Sequence, residues 1–152
     1  MEDFAGINTC GTASADQNQI AVSDTGAKIS AACGWAQVDT VNDNVRITAS
    51  GDKTRISATG KFAQITASGN QTRINVSGHW GRVETTGENC VMVCTGRACH
   101  ARGKVGSWIV LTDWADDGHP TVISAQIDGT TIKADTWYYV ENGQLCEDGA
   151  GE

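Results

Sequence analysis

The chain has 152 residues, room for one ordinary hydrophobic core, with 18 glycines against one proline and almost no leucine. Abundant Thr, Ser, Asn and Asp beside that glycine content exclude a helical bundle and fit many short strands joined by tight turns. The formal charge of -7 is unevenly spread: six acids and one Lys over 1–45, nine bases and three acids over 46–105, nine acids and one Lys over 106–152. A middle of +6 between ends of -5 and -8 suits an anionic partner in the middle or a cationic partner at the tail.

The start, MEDFAGINTCG, lacks the basic and apolar regions of an export signal, and no apolar run approaches the length of a membrane-spanning helix. The expectation is a cytoplasmic protein that does not act at a membrane. On that reading Cys10, Cys33, Cys90, Cys94, Cys99 and Cys146 are free thiols and not three bridges.

From Asp43 the chain writes nearly the same nine residues five times, DNVRITASG DKTRISATG KFAQITASG NQTRINVSG HWGRVETTG. Aligned on the central apolar residue, Ile20, Ile29, Val38, Ile47, Ile56, Ile65, Ile74, Val83 and Met92 stand at an unbroken spacing of nine. Two residues on, every position is small or β-branched, or is Cys94; four on, from Gly51 to Gly96, every position is glycine. The local period is two, with Val45, Ile47 and Ala49 on one side and Arg46 and Thr48 on the other, which predicts a half-buried strand. Glycine is expected to make the turn by adopting an unusual φ at no cost.

Such a unit cannot bury its apolar side alone, whereas stacked copies can. The repeat therefore predicts an all-β protein: a short parallel β-solenoid over residues 1–105 with two units per coil, and a looser N-terminal cap. Small residues at the second inward position fit its thin core, and five coils would rise about 25 Å. Three units per coil is the alternative. The expected core is Ile47, Ile56, Ile65, Ile74, Val83 and Met92. With two units per coil, Arg46, Gln64 and Arg82 line one outer face beside Thr48, Thr66 and Glu84, while Arg55 and Arg73 line the other beside Ser57 and Asn75.

Residues 106–152 follow a different pattern. Strands are expected over 108–114, 121–127, 130–133 and 137–140, with turns at 116–120, Asp128-Gly129 and Asn142-Gly143. This small antiparallel lobe holds three of the five Trp and both Tyr. It would close the solenoid's open ladder or serve as a homodimer surface.

Candidate chemistry is sparse. The residues after the repeat glycines, Asp52, Lys61, Asn70, His79 and Glu88, are too varied for the GGxGxD turn of calcium-loaded β-rolls. Cys90, Cys94, Cys99 and His100 have the atoms for zinc but not the spacing of a ribbon, and the register turns Cys90 and Cys94 inward as small hydrophobes, so no metal or cofactor is expected. His79, His100 and His119 are scattered, and Asp113, Asp116, Asp117 and Asp135 fall in or near tail turns, so no catalytic residue is assigned. The arginine rows are the stronger signal. Stacked guanidinium groups need carboxylates, water or an anionic ligand, and an extended polyanion could track them, although aromatic residues near them occur only in turns, at Phe62 and Trp80.

The TxxRIxASG units, followed by GSWIVLTDWADDGHPTVISAQIDGTTIKADTWYYVENGQL, resemble uncharacterised proteins of gut bacteria and their phages, in which ATSSG-type repeats precede a GSW-DDG-IKxDTWY segment. The likeness spans roughly Ile20 to Leu145, and its C-terminal motif is the more specific part. It implies a phage or mobile-element context and assigns no active residue. Small acidic phage proteins commonly bind host machinery, including defence nucleases, so an inhibitor of bacterial immunity of the anti-CRISPR kind is the specific expectation. The expectation is thus a non-enzymatic protein-interaction module for a host protein such as a defence nuclease complex. Its interface residues are Arg46, Arg55, Arg73, Arg82, Trp114, Asp116 and Asp117. The alternatives are a carbohydrate-binding or polysaccharide-cleaving β-helix and nucleic-acid binding through the arginine rows.

Overall fold

A computed structural model describes residues 10–13, 19–22, 25–32 and 34–148. The chain start, Cys33 and the side chains of Cys10, Ile20 and Val22 lie outside that description.

The described chain is all β, in two sheets. The first contains β1 (Cys10–Ala13), β3 (Lys28–Ala31), β5 (Arg46–Ala49), β7 (Gln64–Ala67), β9 (Arg82–Thr85) and β11 (His100–Arg102), then β14 (Tyr138–Glu141) and β15 (Gln144–Glu147). The second contains β2 (Gln19–Val22), β4 (Gln37–Thr40), β6 (Arg55–Ala58), β8 (Arg73–Val76), β10 (Val91–Cys94), β12 (Trp108–Trp114) and β13 (Pro120–Gln126). Strands β1 to β12 alternate between the sheets and pair in parallel with the strand two before and two after, which is a β-solenoid with two units per coil. Arg46 pairs with Gln64 and Arg55 with Arg73, a shift of 18 residues, where a three-unit coil would shift by 27.

Each unit turns three positions inward. Around β5 these are Val45, Ile47 and Ala49, all at most 1% exposed. Ile47 stacks over Ile65 and Val83, and Ile56 over Ile74 and Met92, so all six expected core residues are buried. A large residue flanked by two small ones lets the two sheets approach closely.

The turns depart from expectation in a way that explains the glycines. The repeat glycines do not adopt a left-handed φ; they are needed because the coils touch there. A Cβ on Gly78 would sit 1.9 Å from the carbonyl oxygen of Gly60, and one on Gly69 would sit 2.0 Å from that of Gly51. The left-handed positions begin at Gly26 (φ 77°) and continue nine apart through Trp35, Asn44, Lys53, Phe62, Gln71, Trp80, Asn89 and Ala98, none of these eight a glycine, with φ between 54° and 62°. Each of the eight costs on the order of 1 kcal/mol in backbone strain.

Ladder hydrogen bonds hold this conformation. The amide of Lys53 donates to the Asn70 carbonyl (2.8 Å) and that of Phe62 to the His79 carbonyl (2.9 Å). The residues after the glycines, and Asp43 at the same register after Asn42, also have a structural task. Asp43 Oδ1 accepts from the Lys61 amide (2.7 Å), Asp52 Oδ1 from the Asn70 amide (2.8 Å), Asn70 Oδ1 from the Glu88 amide (2.8 Å), and His79 Nδ1 from the Arg97 amide (2.9 Å). Inside the turn, the hydroxyls of Thr54 and Thr72 donate to the carbonyls of Gly51 and Gly69 at 2.8 and 3.0 Å.

At the C-terminal end the strand direction reverses and both sheets are extended. β13 pairs antiparallel with β12, and β14 pairs antiparallel with β11 and then with β15. Tyr138, 2% exposed, joins the core. The strand expected over 130–133 is absent. Asp128 Oδ1 instead accepts the amides of Thr130 (2.8 Å) and Ile132 (3.0 Å) and wraps that stretch into a loop.

Candidate interaction faces

The two outward faces are built from the same register but finished differently. On the first sheet Lys28, Arg46, Gln64, Arg82 and His100 form one row and Ser30, Thr48, Thr66, Glu84 and Arg102 the next. Here the lobe folds back over the face. Trp137 lies 4.4 Å from the Arg82 guanidinium and 5.8 Å from that of Arg102, in cation–π geometry. Arg102 also reaches Glu84 at 3.1 Å, and His100 approaches both Asp148 (3.4 Å) and the Tyr139 ring. Burial pulls the His100 pKa below its usual value, against the opposing pull of Asp148.

On the second sheet the row is Gln37, Arg55, Arg73, Val91 and Trp108, beside Asp39, Ser57, Asn75, Val93 and Val110. Arg55 and Arg73 are exposed, one coil apart, and have no carboxylate partner among the described residues. Between them and the short side chains of Ser57 and Asn75 runs a shallow groove of about 500 Å³, lined at its other end by Gln37 and Asp39. A second hollow of about 390 Å³ continues round the corner, over Lys53, Gln71 and Asn89 to Trp35. Lys53 Nζ stands 4.5 Å above the Trp35 ring, so a third cation belongs to this surface. The nine-residue spacing holds the signal for Lys53 and Gln71, each two residues before an arginine. Without the turn geometry nothing marks them as neighbours of the groove.

The lobe residues expected at the interface stand elsewhere. Trp114 is half-buried and its indole N–H donates to the Thr95 carbonyl at 2.7 Å. It ends β12, six residues beyond Trp108 in the arginine row, or roughly 20 Å along the strand. Asp117 holds the His119 imidazole at 2.9 Å, and Asp116 lines a separate groove with Asp113 and Glu141. Trp114, Asp116 and Asp117 are therefore not gathered with Arg55 and Arg73, while Arg46 and Arg82 lie on the opposite sheet.

The cysteine and histidine cluster is also divided. Cys90, Cys94 and Cys99 point into the core, at 0, 0 and 4% exposed, whereas His100 belongs to an outward row. The thiols of Cys90 and Cys99 donate to the carbonyls of Gly69 (3.5 Å) and Gly78 (3.3 Å). Cys94 is held well above the usual thiol pKa by its hydrogen bond to Cys99 and then by burial. No group of three or more potential metal ligands occurs among the described residues.

Three aromatic side chains stand exposed at left-handed turn positions: Trp35, Phe62 and Trp80. Phe62 and Trp80 stack on each other, ring centroids 5.1 Å apart and nearly parallel at 11°. Stacking covers one face of each ring, and both side chains remain nearly half exposed. No protein-family model matches the chain, and neither the curated proteins nor the solved structures contain a significant match.

Proposed function

We propose that the chain is a non-enzymatic protein-interaction module whose working surface is the outward face of the second sheet. Arg55 and Arg73, with Lys53 at the corner, present cations there to an acidic segment of a partner protein. The observation that supports this reading most directly is the contrast between the two faces. The lobe occupies the guanidinium groups of Arg82 and Arg102, whereas Arg55 and Arg73 stand one coil apart over an open groove and form no ion pair among the described residues, although Asp39 lines the same groove. Two stacked cations about 4.8 Å apart repel each other, and that repulsion is relieved when an anion binds between them.

The resemblance to proteins of gut bacteria and their phages extends the proposal. The partner would be a host protein, and the effect would be inhibition of a defence nuclease complex. Such a rod would compete for a surface that normally meets an anionic ligand or an acidic subunit. The carbohydrate reading receives less support, because the outward rows of the stacked coils hold, among the described residues, a single carboxylate on each face, Glu84 on one and Asp39 on the other, and so no carboxylate pair.

Nucleic acid would use the same arginines, so the test must separate the two. Tagged protein is used to capture partners from nuclease-treated bacterial lysate, alongside Arg55→Ala/Arg73→Ala and the opposite-face control Arg46→Ala. The recovered partner is then titrated in purified form. A stoichiometric protein retained by the control and bound at least tenfold more weakly by the double variant is the expected result. Retention of that protein by the double variant would refute the arginine face. Recovery only of nucleic acid in untreated lysate, with a steep salt dependence, would replace the protein partner with a polyanion.

A further inference from the structure

The two sheets end very differently on the C-terminal side. The last strand of the first sheet, β15, is four residues long and carries Glu147, tied to Lys133 at 3.2 Å, with Asp148 directly after it. Short length and charge are the usual devices that stop an edge from pairing with another chain. The last strand of the second sheet, β13, has neither. It is seven residues long, PTVISAQ, and after Pro120 contains no charge, no glycine and no further proline. Val122 is 61% exposed on its outer side, and Ile123 and Ala125 are only half-buried at the end of the core.

The backbone of this edge has a defined direction. The Ile127 amide donates to Ser107 and its carbonyl accepts from Gly106, both at 2.8 Å, so Ile127 turns both groups towards β12. Alternation then turns Ala125 and Ile123 the same way, and directs the N–H and C=O of Val122, Ser124 and Gln126 to the open side. We propose that β13 pairs antiparallel with β13 of a second copy about a two-fold axis at Ser124. Ser124 then meets its own image and Val122 meets Gln126. The three residue pairs close about six hydrogen bonds, two per pair.

The strand's composition selects a second copy over other occupants. A two-fold axis sets each residue near its own image, so a charged residue near the axis would face its own sign. A neutral strand of β-branched and small residues is free of that conflict. The partner copy would also shelter Ile123 and Ala125, the half-buried end of the core. This proposal is independent of the arginine face, and two copies so joined would leave both arginine faces uncovered.

The full chain is examined by analytical ultracentrifugation over a range of concentrations, beside Ser124→Lys, which places like charges across the axis, and Gln144→Lys on the other edge. Circular dichroism confirms that each variant keeps its β content. The expected mass is twice the 16.0 kDa of one chain for the wild type and Gln144→Lys, with dissociation at least tenfold easier for Ser124→Lys. Amide hydrogen exchange supplies a second reading: Val122, Ser124 and Gln126 should be protected in the wild type and exchange freely in Ser124→Lys. A wild type that stays monomeric at about 100 µM, or a dimer unaffected by Ser124→Lys, would overturn the proposal.

Discussion

Replacing Gly78 with Ala tests what the repeat glycines are for. Gly78 lies mid-rod, and the added Cβ would sit 1.9 Å from the Gly60 oxygen, whereas real Cβ atoms essentially never approach within 3.0 Å. The two coils must therefore part locally by at least 1.1 Å, the difference of those two distances, out of a rise of about 4.8 Å. Two hydrogen bonds cross the same gap, from the Ser77 amide to Ala58 at 3.0 Å and from the Phe62 amide to His79 at 2.9 Å. Lengthened by that amount, both pass beyond useful range. Their loss at about 1 kcal/mol each, with about 1–3 kcal/mol for overpacking, gives about 3–5 kcal/mol, a large fraction of a domain's stability. Gly26→Ala is the comparison: its φ is 77° but nothing among the described residues lies within 4 Å of its Cβ, so the conformational cost of about 1 kcal/mol is the one expected. Urea denaturation followed by circular dichroism measures both variants. If Gly78→Ala costs no more than Gly26→Ala, the coil-contact explanation is wrong.

Two other perturbations address the core and the lobe. Ile65→Asp puts an unpaired carboxyl at a position 2% exposed and should cost at least about 4 kcal/mol, enough to abolish the cooperative melting transition; an unchanged curve would remove Ile65 from the core. His100 is expected to make stability depend on pH. Its folded pKa is lowered, so the unfolded chain takes up the proton first. The contribution is present in full above about 6.5 and is lost as pH falls from there to the folded value. Denaturation midpoints measured between pH 7.5 and 5 should fall less steeply for His100→Asn than for the wild type, and equal slopes would rule this residue out as the source.

The nine-residue spacing and the inward alternation of Val45, Ile47 and Ala49 were sufficient to predict a solenoid, its core and the composition of each outer row. That much follows because one register repeats and every copy must satisfy the same packing. The turns were harder to read. Glycine serves both left-handed turns and close backbone contacts, and only the neighbouring coil reveals that Gly78 serves the second purpose while Trp80 takes the left-handed conformation. The varied series Asp52, Asn70 and Glu88 resembled failed metal ligands. Asp52 and Asn70 are in fact acceptors for the next coil's amides, a task open to several side chains. The difference between the arginine faces depends on where Trp137 lands after the chain reverses. That contact spans 55 residues of sequence, 137 against 82, and has no local signature.

The coil of two units also constrains how such a gene can change length. Loss or duplication of 18 residues removes or adds a whole coil, and every remaining ladder bond, stacked glycine and outward row finds an equivalent neighbour. A nine-residue event leaves the core nearly as well filled, since both sheets draw on the same unit. It transposes everything downstream to the other side: Arg73 would move out of line with Arg55 and into the row of Arg46. Folding would tolerate both events, whereas a partner reading one side of the rod would accept only the first.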